Sequence, residues 1–192
     1  MKLLAILGSV TPPGRLLTAT RWALEHARTA HDGLEAELIN LAEKRIAFAD
    51  GRAPEQYGDD TASVIRSTQA AAGVIIVSPV YRGSITGALK NLLDQLPVES
   101  LAGKPVGIVA MGATDHHYLG VDWHLRDILA WFGAIVAPTS VYLSASDFVA
   151  GELTTVARQN LVELTAAVLK LAAIAPGPGK FLGPAPLAAR RH

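Results

Sequence analysis

SPVYRGSITGALKNLLD, residues 78–94, follows directly on a short apolar run, Gly73–Val77. A short run of β-branched residues between turn signals has the character of a buried parallel strand. Pro79 stops that strand, because proline has no N–H to give to a ladder. A polar loop comes next, and a helix is predicted from about Thr86 to Leu96. Loops at the carboxyl ends of parallel strands are where open α/β sheets bind ligands. This loop offers an aromatic face (Tyr81), a cation (Arg82), a close-approach glycine (Gly83) and a hydroxyl (Ser84), a set that suits a flat ring with polar edges.

Outward from this stretch, strand-like runs alternate with amphipathic helical ones. Strands are predicted at 3–7, 34–41, 74–77, 105–111 and 135–143. Helices are predicted at about 16–30, 61–72, 86–96, 119–132 and 151–173, with a Gly-, Pro- and Asp-rich loop over 42–60. Alternation of this kind argues for an α/β fold, with a parallel sheet covered on both faces by helices in three layers. Five strands suit a doubly wound sheet in the order 2-1-3-4-5, with the ligand at the switch between strands one and three. The loops at Gly8, Tyr81 and Gly112 then converge on one edge. Residues 1–173 form one domain in this reading. Residues 174–192 are too rich in Pro and Gly for regular structure. They are either a loose tail or an arm that docks Phe181 and Leu182 on a neighbouring subunit.

Composition removes several function classes. The chain has 192 residues, half of them hydrophobic and 18% charged, which fits one soluble globular domain. Seventeen basic residues balance seventeen acidic ones, so no electrostatic footprint for nucleic acid or an anionic membrane exists. There is no cysteine, which excludes disulfides, thiolate metal sites and dithiol redox chemistry. Any redox work then falls to a cofactor. The apolar run Leu3–Leu7 is too short for a signal peptide, and no stretch approaches membrane-spanning length. The expected location is cytoplasmic.

Gly8 to Thr18 link the first strand to the first helix. A helix N-terminus presents free N–H groups and partial positive charge, which hold phosphate well. Ser9 and Thr18 add hydroxyls, Arg15 adds a full charge, and Leu17 lies in the first turn; these four are the candidate phosphate contacts. The loop is neither a Walker motif nor a G-x-G-x-x-G fingerprint, and taken alone it also reads as an ordinary strand-to-helix turn with Arg15 solvated. After strand four, Gly112, Ala113 and Thr114 form the third candidate loop. Asp115, His116 and His117 lack a second element at ligand spacing, so no metal site is expected. Lys90 and Asp94 are spaced to pair on a helix surface.

Pro79, Tyr81, Gly87, Leu89, Lys90 and Asp94 fill the pattern P-x-Y-x-x-x-x-x-G-x-L-K-x-x-x-D, which resembles the signature of the NADPH-dependent FMN reductase family. The likeness runs over roughly residues 1–172 and is strongest to the reductases that serve two-component alkanesulfonate monooxygenases. It implies a flavodoxin-like fold, FMN and NADPH as the cofactors, and hydride transfer from nicotinamide to flavin, with no side chain acting as acid or base and no metal. It implies that Ser9, Arg15, Leu17, Thr18, Pro79, Val80, Tyr81, Arg82, Gly83, Ser84, Gly112, Ala113 and Thr114 bind the cofactor. The family's first loop usually carries arginine where Thr11 stands and often serine where Gly14 stands, so Arg15 takes over the phosphate charge. Either Arg15 or Arg82 meets the 2′-phosphate of NADPH. Reduced FMN passes to a monooxygenase; alternatively the protein keeps its FMN and reduces quinones or azo dyes, or it is a flavodoxin-like electron carrier. The resemblance also implies a homodimer or homotetramer, and a π-bulge at Trp123 in the helix after strand four.

Overall fold

The computed structural model describes residues 1–177 and 179–186. In chain order the elements are β1 (Lys2–Leu7), α1 (Arg15–Ala30), β2 (Glu35–Asn40), α2 (Thr61–Ala70), β3 (Gly73–Pro79), α3 (Gly87–Gln95), β4 (Pro105–Met111), α4 (Tyr118–Phe132), β5 (Ile135–Val136), β6 (Val141–Leu143), β7 (Phe148–Val149), β8 (Glu152–Leu153) and α5 (Thr155–Ile174).

Successive strand residues point to opposite faces, and β1 is apolar on both. Leu3, Ala5 and Leu7 pack with Ile75 and Val77 of β3 under α1 and α5. Leu4 and Ile6 pack with Val74 and Ile76 under α2, α3 and α4. Helices on both faces make three layers. The parallel sheet runs β2-β1-β3-β4, and β5 and β6 share the fifth position beside β4. This is the flavodoxin-like order that the alternation implied. Two strand glycines let α5 sit close to the sheet: a Cβ on Gly73 or Gly107 would stand 2.7 or 2.9 Å from a Val168 methyl.

Several expectations need correcting. The fifth strand, read as continuous over 135–143, is broken between Val136 and Val141. Pro138 has no N–H to donate. Instead, the Arg126 guanidinium donates to the carbonyls of Ala137 (3.2 Å) and Pro138 (3.1 Å) while pairing with Asp122 (2.8 Å). Burial alone would raise the Asp122 carboxyl; hydrogen bonds from Arg126 and Ser140 outweigh it and hold the group below its ordinary range. The last helix starts at Thr155 rather than at Gly151, because the Thr154 hydroxyl caps it by accepting from the Ala157 N–H at 3.2 Å. A hairpin, β7–β8, occupies the residues before it, turning through Ala150 and Gly151 at positive φ. The π-bulge expected at Trp123 is absent: α4 is unbroken α-helix. Its buried residues Val121, Leu125 and Leu129 recur every four positions, as a regular helix requires, and Trp123 lies exposed.

The 42–60 segment is held by side chains. Asp59 accepts from the Ala47 N–H at 2.7 Å, and Asn91 on α3 donates to the Ala47 carbonyl at 2.9 Å. Residues 178 and 187–192 of the expected tail lie outside the described residues. Within the described part, the Lys180 carbonyl lies against Gly103 and the Phe181 ring against Gly133, both glycines of its own chain. Leu182 is exposed.

Lys104 immediately precedes β4 and is 1% exposed. Its ammonium donates to the carbonyls of Thr68 (2.5 Å) and Gln69 (3.1 Å), in the last turn of α2, where a cation complements the helix dipole. Burial still pushes its pKa down from 10.5 to about 8. Between those values the unfolded chain binds more protons than the folded one, so stability rises with pH across that window. Lys104→Met removes the titration. From pH 8 to 10.5 the wild type is therefore expected to gain up to about 3 kcal/mol over the variant in urea unfolding; a constant difference would contradict this.

Candidate functional site

The carboxyl ends of β1, β3 and β4 carry the three loops on adjacent strands. Gly8 donates its N–H to the Val77 carbonyl at 2.7 Å as the chain leaves β1. Pro79 pairs with Met111 in the last register of β3 and β4. The Val80 N–H then donates to the Met111 carbonyl at 2.8 Å. The second and third loops thus begin side by side.

A cavity of about 300 Å³ opens under the first loop, lined by residues that include Ser9, Thr11, Gly14, Arg15, Asn40 and Met111. Among the described residues, no acidic one lines it. Gly14 is the N-cap of α1 and brings no side-chain cap, so the first-turn N–H groups keep their donor capacity. Ser9 and Thr11 share a hydrogen bond between their hydroxyls at 2.9 Å. The Arg15 guanidinium stands 5.6 Å from the centroid of the Phe148 ring, within cation–π range. Uncapped donors, two hydroxyls and an arginine that no carboxylate opposes among the described residues are the chemistry of an anion cradle. A flavin phosphate fits this donor set.

The second loop is a closed turn. Tyr81 and Ser84 exchange backbone hydrogen bonds at 2.8 and 3.0 Å. The residues between them, Arg82 and Gly83, have φ of 52° and 76°, the both-positive pattern of a type I′ turn. Two contacts from α4 brace it. The Ser84 hydroxyl is 2.7 Å from His124 Nδ1. Gly120 lies against the Gly83 carbonyl, where a Cβ would come within 2.6 Å.

The third loop depends on Tyr142 of β6. Its hydroxyl donates to the Thr114 carbonyl at 2.5 Å and fills the space that a Cβ on Gly112 would need. Burial, and then the charge of Asp115, push the phenol's pKa up.

Thr86 ties the loops together. It is the N-cap of α3, accepting from the Leu89 N–H at 3.1 Å. The same hydroxyl donates to the Gly8 carbonyl at 2.5 Å. Gly8 can lie there only because it lacks a side chain: a Cβ would stand 2.8 Å from that of Leu89.

Of the residues expected at the site, Ser9, Arg15, Leu17 and Pro79 line the cavity. The Leu17 side chain is buried in the core, so only its backbone faces that role. Thr18 lies outside the lining, and its hydroxyl is 3.5 Å from the Gly14 carbonyl. Val80 to Ser84 and Gly112 to Thr114 lie outside the lining; they follow directly in sequence on Pro79 and Met111, which belong to it. Ser84 faces α4 through His124. Lys90 and Asp94 pair at 2.5 Å, as their spacing implied. Asn40, Met111, Tyr142, Phe148 and Thr86 were not expected here. Asn40 sits at the end of β2, buried, with its amide bonded to Glu43 at 2.8 Å. Met111 and Thr86 adjoin the loops in sequence; Asn40, Tyr142 and Phe148 are brought there by tertiary contacts.

A family model described as NADPH-dependent FMN reductase matches residues 1–148. The chain belongs to that family. It is similar to the NAD(P)H-dependent FAD/FMN reductase of Geobacillus thermodenitrificans, at 36% identity over 77% of this chain and 80% of the relative. It also resembles the FMN-dependent NADPH-azoreductase of Staphylococcus aureus, at 34% identity over 79% and 81%. In fold it matches the apo crystal structure of an NADH:FMN oxidoreductase (EMOB), with a TM-score of 0.74 at 24% identity over 93% and 95% of the two chains. The protein is thus an enzyme, a flavin reductase that uses FMN and NAD(P)H. No helix among the described residues is long and apolar enough to cross a membrane.

Thr86→Val deletes both bonds of the bridging hydroxyl while keeping the side chain's shape. It is expected to cost about 1–2 kcal/mol in urea unfolding and to raise the KM for FMN, with Thr86→Ser restoring both. Wild-type stability in the valine variant would show that the bridge contributes nothing.

Proposed function

We propose that FMN binds as an exchangeable substrate across the three loops, is reduced there by NADPH, and leaves to serve a flavin-dependent monooxygenase. The observation that carries this is the openness of the cleft: Tyr81, on the loop that follows the cavity-lining Pro79, is 43% exposed, and among the described residues no element closes over it. An uncovered site suits a ligand that must come and go.

In this reading the first loop holds the phosphate. The N–H groups of the Arg15–Leu17 turn and the Ser9 hydroxyl donate to it, Thr18 stands at the edge, and Arg15 supplies the opposing charge. Pro79, Val80, Tyr81, Arg82, Gly83 and Ser84 carry the ring; the N–H groups of Val80, Tyr81 and Ser84 are taken up within the loops, which leaves those of Arg82 and Gly83 for its polar edge. Gly112, Ala113 and Thr114 close the other side. Bound FMN supplies the redox chemistry, accepting a hydride from the nicotinamide and holding two electrons. The chain supplies position and a field that favours negative charge on the ring. No side chain at the loops needs to act as acid or base. The catalytic domain is residues 1–173, with 174–192 outside it. Two or four copies associate, and the location is cytoplasmic.

A second reading keeps FMN bound and passes its electrons to a quinone or azo dye. The likeness to an azoreductase supports it. Titrating FMN into flavin-stripped protein while following NADPH oxidation separates the two. A rate still rising well above one FMN per subunit is expected; saturation at one per subunit, with turnover then set by added quinone or dye, would favour the second reading. Tyr81→Ala is expected to weaken FMN binding roughly tenfold, as a lost ring contact of about 1 kcal/mol or more implies. Fluorescence quenching at wild-type affinity would remove Tyr81 from the site.

A further inference from the structure

We infer that Arg82 is the residue that recognises the 2′-phosphate of NADPH and so sets the preference for NADPH over NADH. This rests on the reading that the nicotinamide cofactor shares the flavin cleft. The two nucleotides differ only by that phosphate. Discrimination therefore needs a cation near the cleft that the flavin phosphate does not already occupy.

The three site loops hold two arginines, Arg15 and Arg82. Arg15 lines the phosphate cavity and stands over Phe148, so its charge is committed to the cradle. Arg82 is exposed on the second loop, and among the described residues no ion pair, hydrogen bond or ring contact engages its guanidinium. Neighbouring cations are already matched: Lys90 with Asp94 at 2.5 Å, and Arg126 with Asp122 at 2.8 Å. In the third loop, His117 Nδ1 is 3.3 Å from the Thr114 hydroxyl.

The backbone at Arg82 makes the same point independently. Its φ of 52° places a long side chain in the left-handed region, where glycine or asparagine would sit without penalty. Such strain persists where the surroundings over-determine it, and it collects at ligand sites. Here the Tyr81–Ser84 backbone pair, the Ser84–His124 hydrogen bond and the Gly83–Gly120 contact fix the turn from three sides. A cation on a fixed mount loses less entropy on binding, and a guanidinium matches a phosphate dianion with two parallel donors.

The test compares kcat/KM for NADPH and NADH at saturating FMN in the wild type, Arg82→Asn and Arg82→Lys. Asparagine accepts the left-handed backbone, so the turn is kept. The NADPH-to-NADH ratio is expected to fall roughly 10- to 100-fold in the asparagine variant, the range of a charged hydrogen bond, and to recover in part with lysine. In parallel, 2′,5′-ADP should inhibit the wild type more tightly than 5′-AMP, and Arg82→Asn should erase that difference. An unchanged ratio, an equal loss with both nucleotides, or a wild type blind to the 2′-phosphate of 2′,5′-ADP would overturn the inference. So would a ratio that moves in Arg15→Gln and not in Arg82→Asn. A wild type that reduces FMN with neither nucleotide would instead sink the reading beneath it.

Discussion

One hydroxyl couples the parts on which the site depends. Thr86 caps α3 and in the same stroke donates to the Gly8 carbonyl at the end of β1. A helix cap is a local device, normally answering only to its own helix. Here its second bond reaches across the switch between β1 and β3, where neighbouring loops diverge and leave a crevice. The start of α3 therefore sets where the first loop leaves the sheet. Gly8 must then be glycine, since Leu89 of the same helix occupies the space a side chain would take. Cap, crevice and glycine are one constraint seen from three residues.

The rest of the site follows a similar economy. The first loop leaves the N-terminus of α1 uncapped, an omission that costs a helix some stability and leaves donors for an anion. The second loop holds Arg82 against its backbone preference, braced by α4. The third is fixed from behind by Tyr142, whose phenol O–H donates to the Thr114 carbonyl. Rigid β-sheet ends carry loops whose local conformations are individually unfavourable, and contacts from other elements hold them there. Function concentrates where the scaffold can sustain such departures.

The strands and helices of the α/β layers were legible because each has its own period. β1, β3 and β4 read as apolar runs, and Pro79 with Gly112 announced the loops. Where reading failed, the particular partners that side chains found were responsible. Arg126 takes the carbonyls of Ala137 and Pro138, so an apolar run that looked like one strand became two. Trp123 looked like an anomaly within α4, yet the buried stripe from Val121 to Leu129 keeps the helix regular. Thr154 moved the start of α5 past a hairpin of two short strands. At the site, Ser9, Arg15 and the Tyr81 loop stood out by residue type. Thr86 and Tyr142 did not, because a threonine before a helix and a tyrosine in a strand are ordinary until their partners are known.

By itself the sequence determined the layer architecture, the strand order and which three loops would share an edge. Those properties follow from hydrophobic period and strand–helix alternation, which are local and additive along the chain. It also determined the family, through a spaced pattern around Pro79 and Lys90. The tertiary structure alone decided that Gly8 and Thr86 meet, that Tyr142 stands behind Gly112, and that Arg15 rests on Phe148 while Arg82 has no ion-pair partner among the described residues. Each of these joins residues from separate elements, and only packing brings their polar groups within hydrogen-bonding or van der Waals range.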